Sequence, residues 1–123
     1  MNEISVSGSL TVNNPGVTPG VRGFTQANPL LFNQTGTTWV EGTIQAQILA
    51  TAVPLGNVVS PHWSYWINQD PTNYVTIQNG PTGAVLARLY PGEPAWIPLD
   101  LTCVPYVVAN TAPVVVDYGI FAF

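Results

Sequence analysis

Lysine is absent from this sequence, and only Arg22 and Arg88 carry a full positive charge. Two cations cannot build the basic footprint that neutralises phosphates, so nucleic-acid binding is excluded as a function class. A polybasic contact with an anionic membrane fails on the same count. Cys103 is the single cysteine, which excludes an internal disulfide and leaves the fold to stand on its core. It lies in the apolar run Leu101-Thr-Cys-Val-Pro105 and reads as a small buried hydrophobe. Charged residues of both signs make up only 7% of the chain, against about 25% in an average domain. The surface must therefore be built from Thr, Asn, Gln, Ser and Gly, or be covered by other subunits.

Catalytic groups are equally scarce. His62, in Ser60-Pro-His-Trp-Ser64, is the only histidine. A triad around it would need a serine and one of Asp70, Asp100 or Asp117 to converge on it, and the spacing gives no support for that. It reads instead as a loop histidine before a strand. One His, one Cys and six scattered carboxylates match neither a zinc spacing nor a calcium loop. A glycosidase-like carboxylate pair has few candidates, because Glu93 sits in a Pro-Gly-Glu-Pro turn and Glu3 in a terminal strand. No glycine-rich loop precedes a helix. The expectation is a protein that is not an enzyme, with no catalytic residue, no metal ligand and no cofactor. The start, Met1-Asn-Glu-Ile-Ser-Val6, lacks a basic stretch followed by an apolar one, so no signal peptide is expected. No apolar run approaches the ~20 residues of a bilayer-spanning helix, and a soluble protein is expected.

What the sequence does contain is punctuation and β-formers. The 123 residues, 46% apolar, fit one domain spanning 1–123. Twelve prolines and eleven glycines separate short runs rich in Val, Ile, Thr, Tyr and Trp. Even the best helical stretch, Ile44-Gln-Ala-Gln-Ile-Leu-Ala50, alternates as a strand does. Strands are predicted over Ile4–Val12 and near Leu30–Phe32, Trp39–Ala50, Trp63–Asn68, Tyr74–Gln78, Ala84–Tyr90, Ala95–Leu99, Tyr106–Ala109 and Val114–Phe121. Residues 14–28 read as a loop or extended arm. Asn79-Gly-Pro-Thr-Gly83 is the clearest hairpin connection, and Pro91-Gly92 fits a type II turn. The predicted fold is all-β: a β-sandwich or jelly roll of about eight short antiparallel strands. Either prolines 54, 61, 94, 98, 105 and 113, each near a strand end, stand in for lysine as edge guards, or the edges pair with neighbouring subunits, or both.

Aromatic residues and the C-terminus supply the candidate contacts. Trp63 and Tyr65 share one face of a strand and Trp66 points the other way. Aromatics on a sheet either fill the core, stack sugars or anchor an interface. The apolar end Val114-Val-Val-Asp-Tyr-Gly-Ile-Phe-Ala-Phe123 must lie centrally in a sheet or at a subunit contact. Arg22, Trp63, Trp66, Tyr118, Phe121 and Phe123 are the candidate interface residues. Asp70 and Asn73 have turn chemistry, as do Pro91, Gly92 and Glu93. Arg88 is a candidate ion-pair partner of Glu93 or Asp117.

Five segments in order carry a resemblance over about half of the chain. They are Leu55-Gly-Asn-Val58, Tyr65-Trp-Ile-Asn68, Asp70-Pro-Thr-Asn-Tyr-Val75, Arg88-Leu-Tyr-Pro-Gly-Glu93 and Ala109-Asn-Thr-Ala112. Together the region from Leu55 to Tyr118 resembles a family of small bacteriophage virion proteins. The resemblance implies a β-sandwich on a phage particle, as a capsid decoration (cement) protein or a tail component. It brings no catalytic residue. The implied partners are further copies of the chain, as a homotrimer by analogy with phage cement proteins, and the major capsid protein. The implied location is the virion surface. A tail or fibre module that binds host glycans through exposed Trp or Tyr is the competing expectation.

Overall fold

The computed structural model describes Gly36–Phe123 in full and, before it, the backbone of four short strands. Contacts divide the chain into two compact units, Met1–Thr35 and Gly36–Phe123. In the first, β1 (Asn2–Val6) pairs antiparallel with β4 (Leu30–Gln34), and β2 (Ser9–Thr11) pairs with β3 (Gly23–Thr25). The strand expected over Ile4–Val12 is thus two strands. The stretch 14–28, expected as an arm, contains β3; Arg22 lies outside the described residues.

The second unit is all-β, with no helix among the described residues. Its strands are β5 (Trp39–Ala46), β6 (Thr51–Ala52), β7 (Pro61–Asn68), β8 (Val75–Asn79), β9 (Val85–Leu89), β10 (Pro94–Pro98), β11 (Pro105–Ala109) and β12 (Val114–Ala122). They form two four-stranded antiparallel sheets, β10-β7-β12-β5 and β6-β11-β8-β9, packed as a β-sandwich. The pairing is nested: β5 with β12, β6 with β11, β7 with β10 and β8 with β9. The pairs β12–β7 and β11–β8 then join these ribbons into sheets. The apolar C-terminal strand is a central strand, which explains its composition.

Alternation decides what is buried. On β12, Val114, Val116, Tyr118 and Ile120 face the core while Val115 is exposed. On β7, Ser64, Trp66 and Asn68 face inward. The opposite sheet contributes Val75, Ile77, Leu89, Val107 and Ala109. Each such aliphatic side chain contributes about 1.5–3 kcal/mol on full burial. Trp66 is wholly buried, stacks on Tyr118 with ring centroids 5.9 Å apart, and donates its Nε1–H to Ser64 Oγ at 2.8 Å. Ser64 Oγ in turn donates to the Ile97 carbonyl at 2.7 Å, so the buried polar chain ends satisfied.

Turn chemistry follows the sequence. Asn79–Gly83 links β8 to β9, with Gly80 at φ 77°. At Tyr90-Pro-Gly-Glu93, Gly92 adopts φ 77° and Glu93 N–H donates to the Tyr90 carbonyl at 3.0 Å, as a type II turn requires. The proline expectation holds only in part. Pro94 and Pro98 lie on the edge strand β10, whereas Pro61 and Pro105 open the central strands β7 and β11 and are buried. A first strand residue needs no inward ladder donor, which is why a central strand accepts proline there.

Candidate interaction surface

The outer face of the β5-β12-β7-β10 sheet collects five of the aromatic residues that the core leaves out, Trp39, Trp63, Tyr65, Trp96 and Phe121. Its strands present Trp39, Glu41, Thr43 and Gln45 from β5, and Val115, Asp117, Gly119 and Phe121 from β12. Beyond them come Trp63, Tyr65 and Ile67 from β7, and Trp96 from β10. Register sets the rows: Phe121 lies opposite Trp39, Gly119 lies between Glu41 and Tyr65, and Trp96 lies opposite Tyr65. Four strands at ~4.8 Å spacing make this face about 14 Å wide. Trp39 is 61% exposed and Trp96 50%.

Gly119 sets the shape of the face. A Cβ there would stand 2.2 Å from the Tyr65 ring, so the ring lies directly on the glycine backbone. Partial burial, then the nearby Glu41 and Asp117 carboxylates, push the Tyr65 phenol above its ordinary value. Asp117 accepts the Thr43 hydroxyl at 2.7 Å and the Gln69 amide at 2.8 Å, which anchors it without a cation. At one margin, Thr37, Thr38, Trp39 and Asn57 line a shallow depression of about 210 Å3.

Several expected contacts prove structural. Trp66 and Tyr118 are core residues, because even positions of β7 and β12 face inward, and they are withdrawn as interface candidates. Phe121 and Trp63 are half-buried on the outer face. Phe123 is 50% exposed and meets the His62 ring edge-on at 5.2 Å. Arg88 pairs with neither Glu93 nor Asp117; its guanidinium lies over the Tyr74 ring, 4.7 Å from the centroid. The Glu93 carboxylate is already engaged, accepting Tyr90 N–H at 2.8 Å across its own turn.

Asp70 is a turn residue, as expected. Its Oδ1 accepts Thr72 N–H at 2.8 Å and Asn73 N–H at 2.6 Å, and these bonds hold its pKa below the ordinary carboxylate value. Asp100 makes the same kind of turn with Thr102, and its pKa is lowered too. His62 Nδ1 lies 2.8 Å from the Leu99 carbonyl. No group of three or more His, Cys, Asp or Glu gathers among the described residues. Cys103 is buried, and desolvation pushes its thiol pKa up.

Trp39 and Trp96 are the surface aromatics that sequence reasoning missed. The signal was present: Trp39 shares its strand parity with Glu41, Thr43 and Gln45, and Trp96 stands between two prolines. Comparison with protein-family models, curated proteins and solved structures finds no match, so the likeness to phage virion proteins rests on the order of the five motifs.

Proposed function

We propose that this chain is a structural virion protein of a bacteriophage that decorates and stabilises the capsid surface as a homo-oligomer. The observation that carries the reading is the aromatic outer sheet face, with Trp39 and Trp96 exposed in a protein that has no lysine and few charges. Exposed aromatic side chains on the face of a sheet suit a contact surface. The nested strand pairing supports a jelly-roll reading, an arrangement shared by viral capsid and lectin domains, and this is an argument from analogy of fold. Comparing particles with and without the protein tests the proposal: those carrying it should survive heating and low salt longer. Equal survival overturns the stabilising role.

A second reading is a tail or fibre module that binds host glycans. The depression beside Trp39 favours it, since an exposed indole flanked by Thr37, Thr38 and Asn57 offers a stacking face with hydroxyl and amide partners. Its check is a glycan array read with the parent protein and a Trp39→Ala variant. No hit for the parent overturns this reading and leaves the first untouched.

A further inference from the structure

The two edges of the aromatic sheet are guarded very differently. On β10, Glu93 O and Leu99 N bond to β7, so alternation turns the odd positions toward β7 and Pro94, Trp96 and Pro98 toward the free edge. Two of those three residues have no N–H, leaving Trp96 as the sole outward donor of the strand. On β5 the Thr38 carbonyl accepts Ala122 N–H, which places even positions against β12. Trp39, Glu41, Thr43 and Gln45 therefore turn both N–H and C=O outward, with neither proline nor lysine among them, although the Gln45 carbonyl already accepts the Gln47 side-chain amide at 3.4 Å. The edges of the other sheet are poorer templates: β6 has two residues, and the β8–β9 pairing carries a register shift.

A second observation marks the same flank. Val40 and Ile44 face the core yet are only half-buried, while Ile120 and Val116, their partners on β12, are fully buried. Among the described residues, the sandwich is incompletely covered along β5.

We propose that two copies of this chain join β5 to β5, antiparallel, about a two-fold axis at Thr43. The edge is self-complementary in that register. Thr43 faces Thr43, a favourable β-branched pair, and Glu41 of each copy faces Gln45 of the other. An axis at Glu41 would instead oppose two carboxylates. Pairing satisfies the outward groups of Glu41, Thr43 and Gln45 and extends the four-stranded sheet continuously across both copies. It also brings a neighbour up against Val40 and Ile44. A head-to-tail ring built from this sheet would need β10 as its second edge, where the prolines deny the donors. The inference puts a dimer in place of the homotrimer that the resemblance implies, and holds whether or not the chain sits on a particle.

Light scattering over a concentration series tests it, with an expected limiting mass of twice the 13.1 kDa chain. Gln45→Pro deletes a donor that the ladder to β12 does not use. It should melt close to the parent while self-association weakens about tenfold or more, because each copy loses one donor and the dimer therefore loses two ladder hydrogen bonds. Thr43→Cys should form an inter-chain disulfide under mild oxidant, because opposed Cα atoms in such a pair lie ~5.5 Å apart. Cys103 is buried and does not compete. A single-chain mass throughout, or an odd-numbered assembly, overturns the proposal. Failure of Thr43→Cys to cross-link overturns it too, and that readout decides alone if Gln45→Pro fails to fold.

Discussion

Asn68 ties together more of this molecule than any other polar side chain described. It is fully buried, and its amide donates to the Asn73 carbonyl at 2.9 Å and the Leu89 carbonyl at 3.0 Å. Its Oδ1 accepts Asp70 N–H at 2.8 Å. Its backbone exchanges bonds with Gly92 N–H and the Glu93 carbonyl. One side chain thus fixes the turn after β7, the end of β9 and the turn into β10. Asn68→Leu has a similar volume but leaves one donor and two acceptors unpaired. It should cost about 2–4 kcal/mol in chemical denaturation, with an unchanged dependence on denaturant. A second residue-scale expectation concerns acid. Asp70 and Asp100 have folded pKa values below their ordinary 3.8, so they contribute stability above that pH and lose it as pH falls through the folded value. Asp70→Ala should therefore melt lower than the parent at pH 7, and the gap should narrow as pH falls below the ordinary 3.8 in a pH series of melts.

At the scale of elements, β12 organises its sheet. It runs between β5 and β7 and supplies Val114, Val116, Tyr118 and Ile120 to the core. Its other face must be flat at one point, because the Tyr65 ring rests on Gly119. Gly119→Val should displace Tyr65, cost about 1–3 kcal/mol, and return the phenol titration toward its ordinary value. Thermal melts with ultraviolet titration of the tyrosines check both outcomes. An unchanged Tyr65 titration would show that the ring can be held without the glycine. Gly36 is a second close approach, since a Cβ there would stand 2.6 Å from both Ala122 Cβ and the Phe123 carbonyl oxygen.

At the scale of the whole molecule, scarcity of charge makes proteolysis a simple probe. Trypsin has two sites, Arg22 and Arg88. Arg88 is held in β9, paired across the ladder with Thr76 and stacked over Tyr74, so cleavage there requires local unfolding. Native digestion followed by mass spectrometry should show cutting after Arg22 and none after Arg88. A cut after Arg88 in the folded protein would mean that β9 opens independently of the sandwich.

The sequence alone determined the all-β class, the breaks between most strands and the turns at Asp70, Pro91-Gly92 and Asn79–Gly83. These depend on period-two alternation and on residues with few allowed backbone conformations, and both act locally. It also determined that Trp66 and Trp63 point to opposite faces. Which of those faces is the core depends on the partner sheet, so Trp66 and Tyr118 were read as contact residues when they are interior. Short β6 and β3 escaped because two or three residues carry too little periodicity to register. The stacking of Arg88 on Tyr74, the Asn68 network and the difference between the β5 and β10 edges were decided only by tertiary structure. Each depends on which strands become neighbours, and long-range pairing leaves no trace in a local pattern.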